Sequence, residues 1–185
     1  MRSFYMVRHG ETTTNLEKIA TGQMNVELTS IGKQQAEQCR NVIKSIGLKP
    51  DVILCSGLNR TIHTADIINQ VLGCNVYIRP ELDEQNYGDW EGKRWDIILP
   101  EIEKDGENPP NGESQSEFYA RINSAIEELF DVFGGTILFV AHAGVFKCMF
   151  AKYGYPQATI ENGVLYEFKF STSGDELLDV QSIRN

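Results

Sequence analysis

Long hydrophobic runs are missing from this sequence. The longest uninterrupted apolar stretch, Ile137 to Ala141, is far short of the roughly 20 residues a membrane-crossing helix needs. The N-terminus has no charged-then-apolar leader with a small-residue cleavage site, so secretion is not expected. Cysteine is sparse: Cys39, Cys55, Cys74 and Cys148 stand apart, with no CxxC pair and no close histidine. That argues against a metal site or a disulfide framework and fits reduced core thiols of a cytoplasmic protein. Neither GxGxxG nor GxxxxGK[ST] occurs, which speaks against a nucleotide-binding module.

Positive charge is also in short supply, with 17 Lys and Arg against 26 Asp and Glu. The imbalance is local. Residues 81–117 hold 12 acidic and 3 basic side chains and account for the whole net charge of −9. An acidic surface repels nucleic acid and anionic membrane, so neither is an expected partner.

What remains is an ordinary globular composition, 185 residues with 41% hydrophobic content, enough for one domain over residues 1–185. Strand and helix patterns alternate along it. Phe4–Val7 reads as a buried strand followed by a polar loop. Thr29 is placed to cap a helix running to Gly47, with Ala36, Cys39, Val42, Ile43 and Ile46 on one face. A second strand is expected at Val52–Cys55, a helix from Leu58 to Leu72, and a third strand at Asn75–Ile78. Pro100, Pro109 and Pro110 break the acidic segment into a loop-rich excursion with one short helix. Ser114 or Ser116 caps a long helix carrying Phe118, Ile122, Ala125, Ile126, Leu129 and Phe133. A fourth strand at Ile137–Ala141, a helix over Val145–Tyr153, a strand over Val164–Phe170, a turn at Ser173–Asp175 and a last strand follow. The fold class is α/β, a three-layer α/β/α sandwich on a mostly parallel sheet.

The first strand runs into FYMVRHGET. In open α/β sheets ligands bind at the carboxyl ends of the strands. The second strand ends at Ser56, with Arg60 just inside the next helix, and the fourth ends in His142 before Ala143 and Gly144. Three parallel strands would therefore bring Arg8, His9, Arg60 and His142 to one edge. Forked arginines suit phosphate oxygens, and a neutral imidazole can attack phosphorus. The leaving alkoxide then needs a proton from a carboxylic acid, and LDEQNYGDWEG at the head of the acidic segment offers one. Cys55 to Arg60 has the look of a cysteine phosphatase loop. Its gap of four residues is one short of closing around phosphate, so Cys55 is read as buried strand.

In this order the motifs resemble those of the histidine phosphatases, the superfamily that includes cofactor-dependent phosphoglycerate mutase. RHGETTTN, TGQMNVELTSIGKQQA, CSGLNRTIHTA, LDEQNYGDWEG, NGES and VAHAGV match family segments in sequence, over about residues 3 to 150. The resemblance implies that His9 is the phosphorylated nucleophile and that Arg8 and Arg60 grip the phosphoryl oxygens. It implies that His142 is a second phosphate-pocket histidine and Glu84 the proton donor. Asp83, Asp89 and Glu113 are the other carboxylates to consider for that part. Asn15 matches a phosphate-contacting position, and Thr21 and Gly22 match the substrate mouth. A helix cap for Asn15 and a loop turn for Thr21-Gly22 stay open as alternatives. His63 is read as packing or surface. Met24, Tyr87, Trp90, Phe146 and residues 93–112 are expected to shape the mouth.

Phosphoglycerate mutases of the family carry a longer insertion after the acid loop, with paired arginines for the substrate carboxylate. Here only KRWDIILPEIEKDGENPP fills that place, and Lys93-Arg94 lies too close to the glycines to substitute. The compact GDWEG form is similar to small phosphomonoesterases such as alpha-ribazole phosphatase. The resemblance therefore implies a phosphomonoesterase acting on small phosphorylated metabolites, without metal or other cofactor. Mutase-type transfer and non-catalytic phosphate binding are the alternatives. Oligomeric state is not legible.

Overall fold

In the computed structural model, which describes residues 4–105, 108–171 and 176–184, a six-stranded sheet runs in the order β3-β2-β4-β1-β5-β6. The strands are β1 Phe4–Arg8, β2 Val52–Cys55, β3 Asn75–Ile78, β4 Ile137–Ala141, β5 Leu165–Phe170 and β6 Leu177–Ile183. The first four are mutually parallel, and β5 and β6 extend the sheet antiparallel at one side. Alternate residues of these strands feed two cores. On one face Phe4, Met6, Leu54 and Phe139 pack against Phe118, Ile122 and Ile126 of α5 (Gln115–Val132) and Val145 and Met149 of α6 (Ala143–Lys152). On the other, Val7, Ile53, Cys55 and Val140 pack against Cys39 and Ile43 of α2 (Ser30–Ser45) and Ala65 and Ile68 of α3 (Asn59–Asn69). The three-layer α/β/α sandwich with a mostly parallel sheet expected from the sequence is what forms.

Several local signals act as expected. Thr29 Oγ1 accepts the Gly32 N–H at 2.9 Å and starts α2, and positive-φ Gly47 and Gly73 lie just past the helices they follow. Of the two serines offered as a cap, Ser114 starts α5, and Glu117 completes a reciprocal capping box.

Other readings are corrected. The loop after β1 contains a short helix, α1 (Thr13–Leu16), closed by a box between Thr12 and Asn15. Pro100 sits inside helix α4 (Trp95–Asp105) rather than breaking it. The carbonyl it deprives of a partner belongs to Asp96, which is exposed and open to water. Helix α6 begins two residues earlier than expected, with His142 itself as N-cap. The turn expected at Ser173–Asp175 falls outside the described residues.

The register levels the strand ends that matter. Val7 and Cys55 both lie beside Val140, so Arg8-His9, Ser56 and His142 leave the sheet at one height. Gly10 is needed there for closeness rather than for a left-handed turn. A Cβ on it would sit 2.2 Å from the Gly32 carbonyl oxygen, and a Cβ on Gly32 would meet the Glu11 carbonyl at 2.1 Å. The first turn of α2 thus presses directly on the exit of β1.

Candidate active site

Above these strand ends lies a cleft of about 590 Å³ lined by Arg8, His9, Asn15, Thr21, Gly22, Arg60 and Glu84, among others. Seven of the eight residues singled out from the sequence therefore share one wall. The eighth, His142, is fully buried behind it.

His9 is the most constrained of them. Its Nδ1 lies 2.7 Å from the carbonyl of Gly10. A carbonyl can only accept, so Nδ1 carries the proton and Nε2 keeps its lone pair. Burial, reinforced by Arg60 and Arg8, pushes the His9 pKa well below the usual histidine value and holds the ring neutral. Its backbone is clamped as well, the N–H donating to Ala141 at 3.0 Å and the carbonyl accepting from Asn162 Nδ2 at 2.8 Å.

Arg60 is 1% exposed and spends its fork on three acceptors. Nη2 donates to the Gly22 carbonyl at 2.7 Å, Nη1 to the Met24 carbonyl at 2.9 Å, and Nε to His142 Nδ1 at 3.3 Å. Burial lowers its pKa to about 10, which leaves it a cation at neutral pH. Because His142 Nδ1 accepts, Nε2 must carry the proton and donates to Ser56 Oγ at 2.7 Å. Burial, then Arg60, keeps His142 neutral too. Both nitrogens are occupied, and the ring lies 5.3 Å from that of His9 between centroids. In this arrangement His142 lies behind Arg60 and is not among the described residues that line the cleft. Arg8 donates Nη1 to the Ile160 carbonyl at 2.7 Å, while its buried Nε has no partner among the described residues.

Glu84 reaches the cleft from the acid loop. Its Oε2 accepts the N–H of Gly144 at 3.1 Å, one of the first-turn donors of α6 left without a helical partner. A Cβ at Gly144 would meet Glu84 Oε1 at 2.0 Å, so the glycine makes room for the carboxylate. The alternative acids are all committed elsewhere. Asp83 accepts from Gly57 N–H at 2.6 Å, Asp89 from Asn111 at 3.0 Å, and Glu113 pairs with Arg121 at 2.7 Å.

Asn15 has two functions at once. Its Oδ1 closes the cap of α1 by accepting Thr12 N–H at 3.1 Å, and the side chain still borders the cleft. Thr21 gives its hydroxyl to Thr14 at 2.7 Å, and Gly22 turns with a φ of +49°. Of the residues expected at the mouth, Tyr87 and Trp90 line it, as do Trp95 and Leu99 from residues 93–112. Phe146 does not: α6 buries it completely in the core, against Tyr166 and Phe168. Met24 contributes only its carbonyl, to Arg60. His63 pairs with Glu27 on the surface, and Cys55 is a buried strand thiol whose pKa burial raises to about 12.

Three supporting residues were not singled out from the sequence. Arg121 reaches the carbonyls of Glu81 at 2.9 Å, Asp83 at 3.0 Å and Glu84 at 3.4 Å, so one guanidinium holds the backbone of the acid loop. Gln23 donates its side chain to the Glu84 carbonyl at 3.1 Å and its N–H to Glu91 Oε1 at 2.7 Å. Glu91 also accepts from Tyr87 N–H at 3.2 Å, tying the loop that holds Arg60 to the loop that holds Glu84. Among the described residues no three His, Cys, Asp or Glu side chains cluster so as to hold a metal ion, and no helix is long and apolar enough to cross a membrane.

The model of the histidine phosphatase superfamily, branch 1, matches residues 4–180. The protein named "Probable phosphoglycerate mutase GpmB" from Escherichia fergusonii is 36% identical over 160 residues, covering 80% of this chain and 73% of that one. Among solved structures, the alpha-ribazole phosphatase from Shigella flexneri is similar with a TM-score of 0.82 and 26% identity, over 99% of this chain and 96% of that one. YhfR from Bacillus stearothermophilus shares the fold, with a TM-score of 0.84 at 24% identity and 96% coverage of both chains.

Proposed function

The chain belongs to the histidine phosphatase superfamily, and from that membership we propose that it is a phosphomonoesterase working through a phosphohistidine at His9. The observation that carries this reading is the His9 ring. Its Nδ1 proton is tied to Gly10, and burial keeps it neutral, so Nε2 is a free lone pair on the wall of a cleft shared with Arg8, Arg60 and Glu84. The substrate phosphate sits against Arg8 and Arg60, both of which line the cleft. His9 Nε2 attacks phosphorus, the bond from phosphorus to the ester oxygen breaks, and Glu84 gives its proton to the departing alkoxide. Water then attacks the phosphohistidine, the Glu84 carboxylate takes its proton, and phosphate leaves with His9 restored. The positive charge that a metal supplies in other phosphoryl-transfer enzymes comes here from the two arginines.

Hydrolysis is preferred over mutase transfer because Arg94 is exposed and bonded to Asp96 at 2.9 Å, outside the cleft. It is not available to hold a substrate carboxylate. Four free thiols, three of them buried, support a cytoplasmic setting. The test is a phosphate-release screen with EDTA present, across 3-phosphoglycerate, sugar phosphates, aryl phosphates and phosphopeptides. Release from one or more esters supports the reading. Release from none, or only after a divalent ion is added, contradicts it.

A further inference from the structure

The phosphate end occupies only part of the cleft. The outer part is walled by three helices, each presenting two residues one turn apart: Trp95 and Leu99 from α4, Gln115 and Tyr119 from α5, Ala143 and Lys147 from α6. Lys147 is the only cation of this outer wall among the described residues. It follows Gly144, whose N–H holds Glu84, by three residues on the same helix face, so it stands about one turn along α6 from the residue that anchors the proposed proton donor. Its ammonium has no acceptor among the described residues, although the chain carries a net charge of −9. Nearby cations are treated otherwise: Lys152 on the same helix pairs with Glu127, and Arg121 on α5 pairs with Glu113.

We propose that Lys147 is a specificity residue, selecting phosphomonoesters whose alcohol part carries a second anionic group on a flat apolar body. This rests on the phosphomonoesterase reading above. The flat body lies along Trp95, Leu99 and Tyr119, and the second anion meets the unpaired ammonium at the rim. The phosphate is gripped by arginines deeper in the cleft, so Lys147 discriminates between leaving groups without taking part in the chemistry.

The experiment compares 4-carboxyphenyl phosphate with phenyl phosphate, measuring kcat/KM for the unaltered chain, Lys147→Gln and Lys147→Glu. Lys147 is exposed, so both variants keep the fold. The inference expects the carboxyphenyl-to-phenyl ratio of kcat/KM to fall roughly three- to fivefold in Lys147→Gln, as for a partly exposed ion pair. In Lys147→Glu it falls further, by about tenfold or more, because repulsion replaces attraction. A ratio that stays within about twofold in both variants overturns the inference and leaves the phosphomonoesterase reading standing. So does absence of turnover on both aryl esters when the screen finds another active phosphomonoester. Absence of turnover on every phosphomonoester overturns both.

Discussion

Arg60 donates its Nε–H to His142 Nδ1 across 3.3 Å, in a pair that is all but sealed from solvent. The contact fixes both partners. It sets the His142 tautomer and leaves the Arg60 fork turned toward the Gly22 and Met24 carbonyls at the edge of the cleft. A lysine would keep the charge but could not span these three acceptors with one compact ammonium. Arg60→Lys is therefore expected to lower kcat/KM on any active phosphomonoester by more than about tenfold, with a folded circular-dichroism spectrum. A smaller loss would mean that the fork is not what holds the substrate.

The two buried histidines make stability depend on pH. Both have pKa values lowered by burial, whereas in the unfolded chain they titrate near the ordinary value of about 6.5. Below that pH the unfolded state binds protons that the folded state refuses, so stability is full above about pH 6.5 and declines as pH falls. The unfolding free energy should therefore be smaller at pH 5.5 than at pH 7.0. Urea unfolding at the two pH values measures it, and His9→Asn should remove about half of the difference. A flat profile would show that the rings are protonated in the folded protein.

Gly144 offers a test of the acid that does not remove it. Alanine is acceptable at this helical position, but its Cβ would lie 2.0 Å from Glu84 Oε1 and 3.0 Å from the Phe118 ring, and the flexible carboxylate is the group that must move. Gly144→Ala is expected to slow phosphorylation by alkyl phosphates by at least about tenfold. Phosphorylation by p-nitrophenyl phosphate should slow much less, because nitrophenolate departs without a proton. Equal slowing of both in single-turnover experiments would separate Glu84 from the leaving-group step.

The acid loop depends on a residue far from it in sequence. Arg121 is bound to Glu113 through two oxygens at 2.8 and 2.7 Å while holding three carbonyls of residues 81–84. Arg121→Ala takes this donor from the Glu81 and Asp83 carbonyls and removes the ion pair of Glu113. It should lower the melting temperature and reduce kcat more than it raises KM, since Arg8 and Arg60, the proposed phosphate ligands, are untouched. Unchanged kcat with a lowered melting temperature would limit Arg121 to a structural role.

The strands, the two-sided core and the line of Arg8, His9 and Arg60 were legible because they follow from local pattern. Apolar runs mark buried strands, and polar residues at their carboxyl ends mark the binding edge. Glu84 was reached only through the family motif, since nothing local separates it from Asp83, one residue away. The supporting contacts had no local signal. Arg121 meets Asp83 across 38 positions and Gln23 meets Glu84 across 61, and each is an ordinary polar residue in its own segment. Phe146 was misplaced for a related reason. In FKCMF nearly every position is apolar, so periodicity does not say which face looks into the core. His142 was recognised as important but not as the partner of Arg60, a relation that only the packed sheet creates.

The central claim is that His9 becomes phosphorylated. The direct measurement is rapid alkali quenching of the protein with a phosphate-labelled ester that it turns over, followed by mass spectrometry of the peptide containing His9. The account predicts a phosphate that survives alkali and is lost in acid, located on His9 and absent from His9→Gln. Steady turnover with no trapped phosphate on His9, or an equal yield of labelled protein from His9→Gln, would contradict it.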